Sequence, residues 1–361
     1  MSVSAEATIE ARTDRLVRLL DERELDQLLV TNLVNVRYLT GFTGSNGACI
    51  VSRDERLFLT DFRYVEQASS QVRGYERVEA GRDMLGDLAT RLRGRAGFED
   101  SHVTVEVHRK LGEKVADGVE LIPAGGLLEG LRELKDELEL AAIRAAARIA
   151  DEAYEDLLEQ GLAGRTEREV ALSLMRSLED RGAEGPSFPA IVAAGAHGAL
   201  PHAVPRDVEI PSDTLVVIDL GARIDGYCSD CTRTFATGSL DGAASEAYEL
   251  VQRAQATALT AVRAGAVCRE VDAVAREIID AAGHAEHFGH GLGHGVGLEV
   301  HEGPRLGKTA EGELRAGNVV TVEPGVYLPG EVGVRIEDLV VVTEDGPEVV
   351  SGFSKELITL S

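Results

Sequence analysis

Two periods of apolar spacing alternate along this chain, one near 3.6 and one of two, and they predict its elements. Up to about residue 122, helical and strand patterns interleave. Glu10 to Glu22 reads as a helix, Gln27 to Thr31 as a short apolar strand, and Ala48 to Thr60 (ACIVSRDERLFLT) as a hairpin. Tyr75 to Ala80 and His102 to Val107 read as further strands, with Asp83 to Leu92 helical between them. The expectation is a small α/β domain over residues 1–122. It holds no cluster of metal-ligand or nucleophilic residues, and His102 and His108, at a strand end and a loop start, read as solvated or packed.

A Pro/Gly break, Ile122-Pro123-Ala124-Gly125-Gly126, sets the boundary of a second domain over 123–361. A long helix is expected from Leu127 to about Leu162, with Leu134, Leu138 and Ala142 in its apolar stripe. Thr166-Glu167-Arg168-Glu169 is a capping box that opens a second helix ending near Arg181. Ser187 to Pro205 (SFPAIVAAGAHGALPHAVP) then reads as a strand and a loop that delivers His202. His197, on the same loop, is read as an ordinary loop histidine.

The stretch Leu215 to Phe235 (LVVIDLGARIDGYCSDCTRTF) organises what surrounds it. A β-branched run meets Asp219, turns near Arg223-Ile224-Asp225-Gly226 and returns through Asp230, which predicts a tight hairpin. With Ile224-Asp225 as the loop, the two aspartates are directly opposed; with Asp225-Gly226 they are diagonal neighbours on one face; a three-residue loop breaks the pairing. Like charges so placed destabilise a sheet unless a proton or cation lies between them. The second half repeats the plan. Two helical stretches, Ala243 to Val262 and Glu270 to Ala281, precede a His-rich segment and a hairpin, Asn318 to Val342, in which Glu323 and Glu337 take places resembling Asp219 and Asp230.

Composition narrows the function class. A net charge of -25 opposes long-range association with nucleic acid or an anionic membrane surface, and suits divalent cations. No apolar run approaches the length of a membrane helix, and the start MSVSAEATIEARTDR has acids and no apolar core of a signal peptide, so the expectation is a cytoplasmic protein. Four cysteines are too few and scattered for a disulfide scaffold. Cys228 and Cys231 form a CxxC, but residues three apart on a strand face opposite ways and no second pair completes a zinc site.

The His-rich segment, His290 to Glu302, reads HGLGHGVGLEVHE. No helix follows and no strand precedes it, which weakens a phosphate-cradle reading. Its glycines instead allow close backbone approach while presenting imidazoles at 290, 294 and 301. Asp219, Asp230, His294, Glu323 and Glu337 form four carboxylates and one imidazole, a set that suits Mn²⁺, Co²⁺ or Fe²⁺ better than a thiolate-type zinc site. Four carboxylates over-neutralise one divalent ion, so the set favours two.

PHAVP, VVIDLGARIDGYCSDCTRTF, GHGLGHGVGLEVHEGP, TVEPGVY and VGVRIEDLV together resemble the signature blocks of the pita-bread (M24) metallopeptidases, in the aminopeptidase P and prolidase branch. RYLTGFTGSNG, at Arg37 to Gly47, resembles the N-terminal domain that creatinase, prolidase and aminopeptidase P share. The resemblance implies an α+β chain: a creatinase/prolidase-like N-terminal α/β domain followed by a pseudo-twofold pita-bread catalytic domain. It also implies that Asp219 chelates one ion, that Asp230 and Glu337 bridge two, and that His294 and Glu323 bind the other. His202, His301 and Glu323 would act at the scissile bond, with His202, His290 and His301 against the substrate. Arg335 and, more weakly, Tyr227 and Tyr327 would steady the ligands. Two divalent ions are implied, Mn²⁺ first, with Co²⁺, Zn²⁺ or Fe²⁺ as substitutes; a homodimer is implied as well.

Such ligands imply a chemistry. A water between two divalent ions loses much of its proton affinity and becomes a hydroxide nucleophile near neutral pH, one ion polarises the scissile carbonyl, and Glu323 carries the proton to the leaving amine. The bond before proline has no N–H, so recognition rests on a pocket for the pyrrolidine ring and on the free N-terminus. The expected activity is a metal-dependent Xaa-Pro aminopeptidase, releasing the residue before proline. Its nearest alternative is a prolidase restricted to Xaa-Pro dipeptides. Methionine aminopeptidase typically lacks the N-terminal domain. A metal-free creatinase-like hydrolase and a non-catalytic pita-bread binding module should both have lost ligands, and all five stand here.

Overall fold

We describe a computed structural model of the chain over residues 5–360; the first four residues of the acidic start and Ser361 lie outside the described residues. The chain forms two compact units that meet at Arg132/Glu133. The Pro/Gly break therefore follows the last strand of the first unit, and one more helix belongs to that unit.

In the first unit, helix α1 (Ala5–Glu22) leads to strand β1 (Gln27–Val30) and helix α2 (Leu33–Thr40), capped by the Asn32 side chain. The hairpin of β2 (Ala48–Ser52) and β3 (Arg56–Thr60) follows, then α3 (Val65–Gln71), β4 (Glu76–Glu79), α4 (Met84–Ala89), β5 (Arg95–Phe98), α5 (Val105–Gly112), β6 (Glu120–Pro123) and α6 (Leu127–Arg132). The strands make one sheet in the order β4-β3-β2-β1-β5-β6. One expectation fails here. The strand over His102 to Val107 is helix α5, because Thr104 caps it by accepting from the Val107 amide. The strand itself lies earlier, at β5, where Arg95, Ala96, Gly97 and Phe98 run parallel to β1 and β6. Leu29, Ile50, Leu57, Leu59 and Ala96 are buried in the core on which this sheet rests.

The second unit opens with α7 (Glu137–Gln160) and α8 (Glu167–Asp180). The single helix expected from Leu127 to Leu162 is broken between Arg132 and Asp136, since Asp136 and Glu139 form a capping box that starts α7 afresh. Leu138 is accordingly exposed, and the buried stripe runs through Leu140, Ile143, Ala147 and Ala150. The capping box Thr166/Glu169 stands where the sequence puts it.

Strands β7 (Gly185–Pro186) and β8 (Ile191–Ala194) lead into a 3₁₀ turn over 195–199. Next come β9 (Leu215–Leu220), β10 (Ala222–Ile224), β11 (Tyr227–Cys228) and β12 (Cys231–Ala236). Helices α9 (Gly242–Leu259) and α10 (Cys268–Ala281) begin the second half. They are followed by β13 (Gly293–Gly295), β14 (Glu302–Leu306), β15 (Val319–Val322), β16 (Gly325–Leu328), β17 (Val332–Arg335), β18 (Asp338–Val342) and β19 (Pro347–Val349). Each half thus lays down two helices and then three antiparallel strands, β8-β9-β12 in one and β13-β15-β18 in the other. This is the expected pseudo-twofold plan. One core packs α7 and α8 under the first sheet, another packs α9 and α10 under the second, and the functional residues lie among the strands.

Candidate active site

The first pair of carboxylates is set by the turn. Ile224 pairs with Tyr227 around a loop of Asp225 and Gly226, both with positive φ, and the same register continues to Thr232 opposite Asp219. Asp230 is therefore diagonal to Asp219, the second of the two registers the sequence allowed. In the second hairpin Val322 pairs with Asp338 and Gly325 with Arg335, so Glu323 stands directly opposite Glu337. The imidazole comes from β13. The His-rich segment holds this strand, and a Cβ on Gly293 would lie 1.9 Å from the Thr321 carbonyl oxygen, an approach only glycine permits.

These elements bring all five expected ligands into one cavity of about 830 Å³. One oxygen or nitrogen each from Asp230, His294 and Glu337 lie within 4.8 Å of one another. His294 Nε2 is 3.2 Å from Glu323 Oε1 and 3.7 Å from Asp230 Oδ2, and its Nδ1 is 3.1 Å from the Gly295 carbonyl oxygen. That carbonyl selects the tautomer with the proton on Nδ1 and turns Nε2 towards the carboxylates.

Burial pushes the Asp230 carboxyl well above the usual range, helped by Glu337, Asp219 and Glu323; Glu337 is raised by burial and then by Glu323 and Asp219. Asp219 is raised by burial against the pull of Arg335. Glu323 goes the other way. Burial opposes its ionisation, but the bond to His294 and its charge bring it to about 2, and the same bond raises His294 despite burial.

Asp219 Oδ1 and Glu337 Oε1 are buried and accept from no protein donor. Buried oxygens left this way are costly unless a cation meets them. Together with the oxygen-rich donor set, this fits divalent metal: Asp219, Asp230, His294, Glu323 and Glu337 are the residues that would hold it.

Behind the ligands runs a hydrogen-bonded chain. Arg335 donates from Nη2 to Asp219 Oδ2 at 2.7 Å, from Nε to the Thr232 hydroxyl at 2.9 Å, and from Nη1 to the Tyr327 hydroxyl at 3.0 Å and the Pro201 carbonyl at 3.2 Å. Thr232 in turn donates to Glu337 Oε2 at 2.7 Å, and Thr321 to Glu323 Oε1 at 3.0 Å. Tyr327 also meets His290 Nε2 at 2.9 Å. The Tyr227 hydroxyl donates to Glu139 at 3.0 Å, and Tyr327 is the tyrosine that meets Arg335.

His202, His290 and His301 all line the cavity. Burial lowers the pKa of His290, and burial followed by the neighbouring His294 lowers that of His301, whose ring packs edge-on to His294 at 4.4 Å. Apolar walls are supplied by Phe188, Ile191, Val300 and Leu306.

Sequence reasoning passed over Thr232. Its place opposite Asp219 in the second of the two registers was the signal for it. Reasoning also missed Glu167, seen as part of a helix cap. Its side chain is buried and bonded to His197, so the supposed loop histidine has a carboxylate partner.

The chain matches known proteins. The profile of metallopeptidase family M24 covers residues 141–344, and that of the creatinase/prolidase N-terminal domain covers 12–134. The chain belongs to metallopeptidase family M24 and is a peptidase, a hydrolase. It is 36% identical over 355 residues to the Xaa-Pro dipeptidase of Pyrococcus furiosus, across 97% of this chain and all of that one. Among solved structures it resembles an Xaa-Pro dipeptidase from Bacillus anthracis, with 40% identity, TM-score 0.95, and coverage of 98% of this chain and 100% of that one. It also resembles an X-Pro aminopeptidase from Thermotoga maritima, with 34% identity, TM-score 0.89 and coverage of 97% and 100%. No described helix is long and apolar enough to cross a membrane.

Proposed function

We propose that this protein is a metal-dependent Xaa-Pro peptidase, cleaving the bond before a proline near the N-terminus of short peptides. The observation that carries the proposal is the pair of buried, unpartnered carboxylate oxygens on Asp219 and Glu337, in a five-ligand cluster at an apolar-walled cavity. Two divalent ions held there, Mn²⁺ first among the candidates, would activate a water as nucleophile and polarise the scissile carbonyl.

The chain's own residues supply the rest. Thr321 and His294 both engage Glu323 Oε1, so the second oxygen is the one free to carry the proton to the leaving amine. His202 and His301, which line the cavity, would hold the substrate carbonyl or the tetrahedral oxyanion. Phe188, Ile191, Val300 and Leu306 offer apolar surface for the pyrrolidine ring.

The aminopeptidase expected from the sequence is one reading, and the solved structure from Thermotoga maritima that this chain resembles carries that name. The dipeptidase reading is supported at least as well, by relatives from Pyrococcus furiosus and Bacillus anthracis. The deciding experiment strips the protein of metal, restores Mn²⁺, Co²⁺ or Zn²⁺, and follows paired Xaa-Pro and Xaa-Pro-Yaa substrates. Cleavage of the dipeptide alone makes it a dipeptidase; metal-dependent cleavage of the tripeptide makes it an aminopeptidase. Neither substrate being cut with any of the metals overturns the Xaa-Pro reading.

A further inference from the structure

Glu167 is the first residue of α8, yet its carboxylate serves a different part of the chain. Its side chain is 1% exposed. Oε1 accepts from the Ala194 amide at 3.0 Å and Oε2 from the Arg206 amide at 3.0 Å. The Arg206 guanidinium adds a fork, Nη2 to Oε1 at 2.9 Å and Nε to Oε2 at 3.0 Å. His197 Nδ1 lies 3.0 Å from both oxygens. Every one of these partners lies in residues 194–206, and none in the body of α8.

One carboxylate therefore grips both ends of the segment that carries His202. Between those ends the segment crosses the second half's hairpin: Gly333 packs so closely on Gly198 that a Cβ there would lie 1.8 Å from the Gly198 carbonyl oxygen. Two residues along from Gly333, Arg335 donates to the Pro201 carbonyl while holding Asp219. Pro201, His202, Ala203, Val204 and Pro205 then line the cavity. A buried carboxylate carries a desolvation cost, and its best-attested return is a fixed arrangement rather than stability.

We infer that Glu167 is a positioning residue for His202, clamping residues 194–206 at both ends so that the imidazole is presented at the metal cavity. This rests on the proposed function, in which His202 meets the substrate. Glutamine keeps the shape of Glu167 but turns an NH₂ towards groups that are themselves donors, so the clamp opens.

The test is a double-mutant cycle on the Mn²⁺-loaded holoenzyme with Glu167→Gln, His202→Ala and the pair, using the Xaa-Pro substrate it cleaves best. Glu167→Gln is expected to lower kcat/KM about 10- to 100-fold, as a displaced group at a reaction centre does. Bound metal should stay at the wild-type level, and the loss should fall on the same parameter, kcat or KM, that His202→Ala changes. The double variant should be no worse than the worse single one. Losses that multiply, or a Glu167→Gln enzyme with wild-type kcat/KM, overturn the inference. A His202→Ala enzyme with wild-type kcat/KM instead overturns the role given to His202. Should Glu167→Gln fail to fold, Arg206→Met opens only the far end of the clamp, at a half-exposed side chain, and its cycle with His202→Ala is judged by the same outcomes.

Discussion

In the first half of the catalytic unit Asp219 and Asp230 stand diagonally across a hairpin, whereas in the second half Glu323 and Glu337 face each other. Their counter-charges differ as well. Ile191 pairs with Asp219, and Leu292, whose carbonyl accepts from the Glu323 amide at 2.8 Å, takes the same place in the second half. Two residues further along stand Ala193 and His294. The first half thus has a methyl group where the second has an imidazole, and Asp219 is steadied by Arg335, reaching over from the other half. The repeat supplies equivalent places on two sheets; the departures from it make two unlike environments, one beside a fixed guanidinium and one beside an imidazole.

The largest effect should come from the carboxylates expected to serve both environments. Asp230→Asn keeps the size of the side chain and removes its charge, and so does Glu337→Gln. Each should lower kcat/KM by about 1,000-fold or more, the scale of several kcal/mol that metal activation supplies. Elemental analysis of the same preparations should show reduced bound metal. An Asp230→Asn enzyme with full metal and full activity would show that Asp230 does not serve the metal of either environment.

A smaller effect should follow from Thr232, which sits opposite Asp219 but donates to Glu337 in the other half. Thr232→Val removes the hydroxyl at nearly constant shape. Metal affinity by calorimetry should weaken about 10- to 100-fold, while Thr232→Ser keeps it near wild type. Equal affinities for the valine and serine variants would show that the hydroxyl holds nothing.

The plan of both halves was legible in sequence because it rests on local chemistry. The β-branched run before Asp219, the capping box at Thr166 and a tight turn within Arg223 to Gly226 each act over a few residues, although which two residues form the loop was left to the structure. That Asp219, Asp230, His294, Glu323 and Glu337 share one cavity was legible through the motif resemblance and through their spacing on paired strands. What escaped was decided at a distance or by competition between neighbours. The amphipathic run after Thr104 fits strand or helix, and the Thr104 cap decides for helix. Tyr227 and Tyr327 could not be told apart until Glu139 claimed one and Arg335 the other. Glu167 looked like a local cap, because its partners Ala194, His197 and Arg206 lie well along the chain.

Without metal, Glu323 should respond to pH with the sign opposite to that of the other four cavity residues. Asp219, Asp230 and Glu337 are held above their unfolded values, so their contribution to stability is full below those values and is lost as pH rises through the folded ones. His294, also raised, acts in the same direction. Glu323, at about 2, contributes above the ordinary carboxylate range and loses that only in strong acid. Between pH 5 and pH 8 the strongly raised Asp230 and Glu337, together with His294, govern. The Tm of metal-stripped protein should fall across that interval, and added Mn²⁺ should raise it more at pH 8 than at pH 5. A stripped protein whose Tm rises towards pH 8 would contradict the burial argument.

The smallest effects concern how each half's helix holds its sheet. In the first, the Tyr154 hydroxyl of α7, wholly buried, reaches the carbonyls of Ile218 and Cys231 at 2.9 Å each, tying β9 to β12 just behind the aspartates. In the second, Gln255 of α9 donates to Asp338 at 2.9 Å, but Asp338 also holds Arg233 and Lys355, and Gln255 Oε1 is itself buried without a donor. Tyr154→Phe strips two buried carbonyls of their shared donor and should cost about 1–3 kcal/mol, or a few degrees of Tm. Gln255→Leu leaves Asp338 with two cations and removes an unpaired oxygen, so its cost should stay below about 1 kcal/mol. Neither change touches a ligand, and kcat/KM should stay at wild type in both. A Gln255→Leu protein less stable than Tyr154→Phe would mean that Asp338 depends on the amide more than on its cations.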